Sequence, residues 1–465
     1  MMIGYACLQQ MIGLVAPSLG NLVGSALAFY MIWAARPGYL AALMINQLTA
    51  GNFTILGHEG SATAVNLVTY ALSFAILVRV SWELIANPRT FRRWRWLLGA
   101  WYVGIALAVI MALLGRAAGN PSWTLPVRFA WTAGALFYGV ILARRWPADG
   151  RVLWGGVFQV IVGLLVLFSL GLLHHKLKFI LVPLAFPMAW LAWHRARRLN
   201  RVLAVGAIMM AAMLGLGAGV VGVESESTEN YGVGGATLSL NALFVGSVAL
   251  TLTIAMGSRL IRTTCRVVLG WPAFLFVVIF SFTIAAVGPK YRIDRWVDAD
   301  EVMTIKDNIK LKMFDDRSRI WSTALYDITK GSYIIKASGQ SLWIDHPLLG
   351  EREWPFGAHN SVMNTILVQR WLGGAIVLTM VGVAMSRASA SLSMGRFNAI
   401  HVLGIFTAVT GTVGLVVNDY PTNDEAGFWF FGFAGIVAGV LEARAREKAG
   451  KSPVCVAHNA SGHRR

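Results

Sequence analysis

The chain has 465 residues, of which 56% are hydrophobic and only 13% charged, whereas a soluble domain is about 25% charged. That deficit excludes a water-soluble globular protein and makes lipid the main solvent. The net charge of +18 would suggest nucleic acid in a soluble protein, but here the arginines fall between apolar runs, where they orient membrane spans, and no nucleic-acid partner is expected.

In chain order, residues 3–35 are apolar but broken by Pro17, and read as one long or two short membrane segments. The N-terminus shows no basic n-region and no small-residue cleavage site, so no removable signal peptide is expected. A short apolar run follows at 40–48. From Thr63 onward about eleven further runs recur, for example 96–114, 152–173, 202–223 and 267–287. About 20 apolar residues cross the hydrocarbon core at 1.5 Å per residue. The expected fold is an all-α polytopic membrane protein with about 12–14 transmembrane helices. Cys7, Cys265 and Cys455 are scattered and cannot form a disulfide framework.

Basic residues alternate with sparse or acidic gaps along this series. Arg89, Arg92, Arg93 and Arg95 fill one gap, and the next holds only Arg116. Arg144, Arg145 and Arg151 fill a third, and His174, His175, Lys176 and Lys178 a fourth. Arg195, Arg197, Arg198 and Arg201 then precede an acidic gap at Glu224, Glu226 and Glu229. Excess Lys and Arg marks short cytoplasmic loops. The rule puts residues 289–360, and the His174–Lys178 gap, on the periplasmic side of a bacterial inner membrane. It puts the basic tail, 444–465, in the cytoplasm. Four parts follow: N-terminal spans (1–288), a periplasmic loop (289–360), C-terminal spans (361–443) and the tail.

The 289–360 loop is the one sizeable polar segment. Within it Ile320, Trp321, Ala324, Leu325 and Ile328 recur at helical spacing. Asp315 and Asp316 stand where an N-cap would, and Lys330-Gly331 ends the run. His346-Pro347 and Gly350 mark a turn. Residues 360–371 read as helix again, ahead of Gly373-Gly374 and the next span. A small helical cap over the membrane face is expected.

Chemistry-bearing residues concentrate in this cap. Arg317 and Arg319 open the first helix, and guanidinium forks suit the oxygens of a diphosphate. His359 has a side chain able to take a proton from a sugar hydroxyl near neutral pH. Lys176 and Lys178 could add positive charge, although a lysine near a membrane end is ordinarily a snorkelling anchor. His174 and His175 lack a nearby third ligand, so no metal is expected.

Arg317-Ser-Arg-Ile-Trp321, then His346-Pro-Leu-Leu-Gly350, then Ala358-His359-Asn360 resembles the signature of the O-antigen ligase and polysaccharide polymerase superfamily. The likeness covers about 60 residues; order and spacing both match. It implies a metal-independent glycosyltransferase without cofactor, acting on an undecaprenyl-diphosphate-linked glycan donor. The acceptor would be a growing glycan or lipid A core. By that resemblance His359 is the base that activates the acceptor hydroxyl, Arg317 holds the donor diphosphate, and Arg319 is its neighbour or substitute. In one respect this chain departs from the family. The family often has a Ser-Arg pair at the outer start of a mid-chain span, whereas this chain has His175-Lys176-Leu177-Lys178, which keeps charge but loses the fork. A second His-Asn pair, His458-Asn459, falls in the cytoplasmic tail, away from any donor presented outside. The rival reading is a transporter or flippase of lipid-linked sugars, which would require charged residues inside spans and helices broken at the midplane.

Overall fold

Pro17 divides the first apolar stretch, because proline can open a helix but has no N–H with which to continue one. In the computed structural model the result is two helices, Met2–Val15 and Pro17–Ala34. They pack on each other and on Leu40–Thr49. Buried amides tie the three together. Gln9 donates to the Gly20 carbonyl (3.1 Å), and Asn46 donates to the Gly24 carbonyl (3.2 Å) and to the side-chain oxygen of Gln9 (3.3 Å). The structure describes residues 2–49, 62–117, 124–146, 151–169, 178–195, 198–213, 231–287, 317–330, 342–346, 350–354, 360–417 and 424–448.

Among the described residues three helices are long and apolar enough to cross a membrane, Arg92–Leu113, Ser361–Ser393 and Ala426–Glu447. A fourth results if Arg259–Val268 and Trp271–Val287, bent by 41°, count as one span. Seven shorter apolar helices of 10–17 residues accompany them. The protein is a helical membrane protein. Fewer described helices reach spanning length than the sequence led us to expect. Some apolar runs continue past the described residues, as at 202–223, where the described helix is Arg198–Ala212.

Lipid supplies no hydrophobic push between helices, so close backbone approach has to come from small residues. The Thr124–Ala143 and Asp424–Lys448 helices show this directly. Gly139 lies against the Gly432 carbonyl and Gly435 against the Leu136 carbonyl, with no room for a Cβ at either position. Aromatic rings fill the flanks: Trp131 packs beside Phe428 at 5.9 Å between centroids.

A buried charge cluster closes one end of the Ala62–Ala86 helix. Glu83 is contacted by Arg79 one turn earlier (3.0 Å), by Arg144 (2.7 Å) and by the Thr90 hydroxyl (3.0 Å). Removing one partner of a buried pair strands the other charge and costs about 3–5 kcal/mol. Glu83→Ala should therefore lower the midpoint of heat-induced aggregation in detergent substantially. Arg144→Ala should lower it less, since the Arg144 side chain is half exposed. Equal melting of wild type and Glu83→Ala would show that the cluster contributes nothing.

Two expectations need correcting. The run at 267–287 is helical as a span only from Trp271. The preceding Arg259–Val268 forms a separate helix, capped by the Ser258 hydroxyl on the Ile261 amide (3.3 Å), with none of its residues buried. Its arginines share one face while Leu260, Ile261, Val267 and Val268 are exposed on another, the pattern of a helix lying at an interface. Second, the segment between 289 and 360 is not wholly helical. Leu342–His346 and Gly350–Trp354 pair as antiparallel strands, Leu342 opposite Trp354 and His346 opposite Gly350. Trp343 and Ile344 favour a strand. The turn expected at His346-Pro347 and Gly350 falls between these strands, and residues 347–349 lie outside the described residues.

Candidate functional site

The Arg317–Lys330 helix has the limits its sequence predicts, and it buries Ile320, Trp321, Ala324 and Ile328, with Leu325 half-buried. Helical periodicity put those residues on one face, and that face meets the Trp271–Val287 and Ser361–Ser389 helices. The Ser322 hydroxyl donates to the Ala285 carbonyl at 2.8 Å, which fixes the helix along its neighbour.

Asn360 caps the helix that follows. Its Oδ1 accepts from the Val362 and Met363 amides at 2.9 and 3.0 Å, satisfying donors that a helix start leaves open. Its Nδ2 donates to the Ser281 hydroxyl at 2.9 Å. Asn360 and Ser281 are both fully buried. Beside them, Trp371 stacks on Phe282 with 6.3 Å between ring centroids. Ser281, Phe282 and Ala285 occupy one turn of one helix, about 6 Å of axis. That turn anchors the arginine helix, the cap after His359 and the start of the next span.

Arg317 and Arg319 form the first turn of the arginine helix. Arg317 lies five residues before Ser322, about 7.5 Å along the axis. His359 is covalently joined to Asn360 but lies outside the described residues, as do Lys176 and the Asp315-Asp316 cap. Lys178 opens the Lys178–Arg195 helix, whose main packing partners are Arg198–Ala212, Tyr231–Met256, Ala399–Val409 and Arg151–Ser169. The side chains of Lys178, Arg317 and Arg319 lie outside the described residues.

No family model, curated protein or solved structure matches the chain.

Two features of this region escaped the sequence. Ser361–Ser389 has 29 residues, about 43 Å if straight, against a hydrocarbon core of about 30 Å. It is not straight. Arg370 has φ 55° and ψ −175°, a conformation that is essentially glycine's and costs another residue about 1–3 kcal/mol. Beyond it, residues 371–389 measure about 28 Å, one membrane thickness. A Cβ on Gly374 would come within 3.1 Å of the Ile366 Cα, whereas residues eight apart in a straight helix are separated by about 12 Å. The short arm 361–369 therefore folds back against the span.

That arm carries polar and apolar residues on opposite faces, and both faces are buried. Ser361, Asn364, Thr365 and Gln369 share one side, Val362, Met363, Ile366 and Leu367 the other, and all are at most 8% exposed. Arg370, at its end, is fully buried. The readable signals were Ser281, which with Thr283 is a hydroxyl in an otherwise apolar run, and Arg370, a charge beside Gly373-Gly374.

Proposed function

We propose that this chain is a membrane glycosyltransferase of the O-antigen ligase and polymerase type. It would transfer an undecaprenyl-diphosphate-linked oligosaccharide to an acceptor glycan at the periplasmic face of a bacterial inner membrane. The reading carries 12–14 spans, a periplasmic 289–360 segment and a cytoplasmic tail. One observation supports it above the others: the Arg317 helix and the residue after His359 are anchored on the same turn of the Trp271–Val287 helix, through Ala285 and Ser281. Segments about 40 residues apart in sequence converge there, as a site divided between donor diphosphate and acceptor hydroxyl requires.

In this reading His359 takes the proton from the acceptor hydroxyl as its oxygen bonds to the anomeric carbon of the donor sugar. The bond from that carbon to the diphosphate oxygen breaks, and the electron pair leaves with the lipid diphosphate. Arg317, with Arg319 beside it, neutralises the charge that grows on the leaving group. Since side-chain cations supply that charge, transfer by purified protein should persist in EDTA. Loss of activity that added Mg²⁺ restores would favour a metal-borne leaving group instead.

The flippase reading draws on the broken helix at Arg370 and the buried Arg79–Glu83 pair. Glu83 sits near the end of its helix, and Arg370 at the junction between the short arm 361–369 and the longer arm 371–389. Arg370 leaves a full membrane thickness beyond it, and Glu83 lies in the last turn of Ala62–Ala86. Alternating access needs its break and its charges at the midplane. Deleting the gene and identifying the glycan that accumulates tests the choice. Undecaprenyl-diphosphate-linked oligosaccharide on the periplasmic leaflet supports transfer, a single repeat unit indicating a polymerase and uncapped lipid A core a ligase. The same lipid confined to the cytoplasmic leaflet would support the flippase.

A further inference from the structure

We propose that the Arg259–Val268 helix and the turn it packs on form a binding site for an acidic phospholipid, arginines holding its phosphate and exposed apolar side chains its acyl chains. The site is separate from the transferase reading and does not depend on it.

The helix has two faces of opposite chemistry. Arg259, Arg262 and Arg266, at i, i+3 and i+7, share one of them. Leu260, Ile261, Val267 and Val268 lie on the other, all exposed. Thr264 falls among these four, and its hydroxyl donates to the Leu260 carbonyl at 3.1 Å, so it adds no unmet polar group. The helix that follows exposes Leu275, Phe276 and Ile279, further apolar surface for acyl chains.

The arginine face is held against residues 393–395. Arg262 donates to the Met394 and Gly395 carbonyls, and Arg266 donates to the Ser393 hydroxyl at 3.4 Å. Arg444, from the Asp424–Lys448 helix, reaches the Met394 sulfur at 4.0 Å, and Arg396 follows directly on the same turn. Arginines from three parts of the chain thus gather around one turn, and all but Arg262 are exposed. Their charge is not answered from within. No Asp or Glu stands between Glu229 and Asp294, or between Glu353 and Asp419. Glu442, on the same helix as Arg444, is taken by Arg446 at 3.9 Å. Among the described residues no carboxylate pairs with any of the five arginines. Other arginines in the protein do find internal partners: Arg79 and Arg144 on Glu83, Arg145 on the Ala34 carbonyl, Arg387 over the Trp94 ring.

A soluble anion would answer this charge but leave Leu260 and Val267 in water. A neutral lipid would cover the apolar face but leave the arginines unanswered. A phosphate that carries acyl chains satisfies both, and guanidinium forks suit its oxygens. A helix with separated basic and apolar faces belongs at headgroup level, where clustered arginines attract acidic lipid.

The test titrates purified full-length protein in neutral detergent with phosphatidylglycerol, phosphatidylcholine and inorganic phosphate. Wild type should bind phosphatidylglycerol at least tenfold more tightly than phosphatidylcholine, and millimolar phosphate should not displace it. Arg259→Gln with Arg266→Gln spares the carbonyl anchor of Arg262. It should weaken phosphatidylglycerol binding by about fivefold per arginine. Arg92→Gln with Arg93→Gln, two exposed arginines outside this cluster, should change it less than twofold. Leu260→Ser with Val267→Ser keeps every arginine and should also weaken lipid binding. Wild-type affinity in the Arg259/Arg266 variant would overturn the site. Equal losses in the Arg92/Arg93 variant would overturn it in favour of a general effect of basic charge. Displacement by phosphate, or an indifferent Leu260/Val267 variant, would overturn it in favour of a simple anion contact.

Discussion

Replacing His359 with alanine should abolish transfer of the lipid-linked oligosaccharide while the protein still inserts and accumulates at the wild-type level. A positioned general base accelerates such a step by about 10²–10⁴-fold, so the expected residual rate is below one hundredth of wild type. Packing should barely change, because the anchor in this stretch is Asn360, which caps its helix and bonds Ser281. The two neighbours thus separate chemistry from structure. Asn360→Ala should lower stability by about 1 kcal/mol through loss of the cap and displace the catalytic group as well. His359→Ala should lower the rate alone. The comparison is made in a reconstituted assay with donor extracted from a deletion strain. Full activity in His359→Ala would remove the base assignment.

The second large effect is expected at Arg317. Losing hydrogen bonds between a guanidinium and phosphate oxygens costs about 1.5–3 kcal/mol, roughly a 10- to 160-fold fall in kcat/KM for the donor. Arg317→Lys keeps the charge but not the fork, and should fall less. Arg319, two residues along the same helical turn, should show a smaller loss if it only neighbours the diphosphate. The helix itself should survive these substitutions, since Ile320, Trp321, Ala324 and Ile328 hold it and Ser322 ties it to Ala285. Unchanged donor kinetics for both Arg317 variants would remove the diphosphate from this helix.

Much of the architecture was legible because membrane helices declare themselves through length and apolarity. The arginine helix ends at Lys330 as Lys330-Gly331 implied, and the helix after His359 begins at Ser361 behind an asparagine cap. Periodicity fixed which face of residues 317–330 is buried, since an apolar stripe at i, i+3 and i+4 spacing has to be covered. What periodicity could not give was tertiary pairing. The hydroxyl of Ser281 is visible in the sequence, but only folding shows that it receives Asn360. The strands at 342–346 and 350–354 were hidden because five-residue strands carry too few alternations to stand out. The break at Arg370 was hidden for a different reason. Local propensity makes arginine a good helix former, and the left-handed φ is imposed by packing that the sequence does not print.

The central claim is that Arg317 and His359 meet at the non-cytoplasmic face, and one cross-linking measurement addresses both halves of it. Cys7, Cys265 and Cys455 are changed to serine, Arg317 and His359 to cysteine, and intact spheroplasts are treated with a short, membrane-impermeant bismaleimide. We expect an intramolecular cross-link formed from outside the cell. Cysteines that react only after the membrane is opened, or that both react from outside without ever joining, would contradict the account.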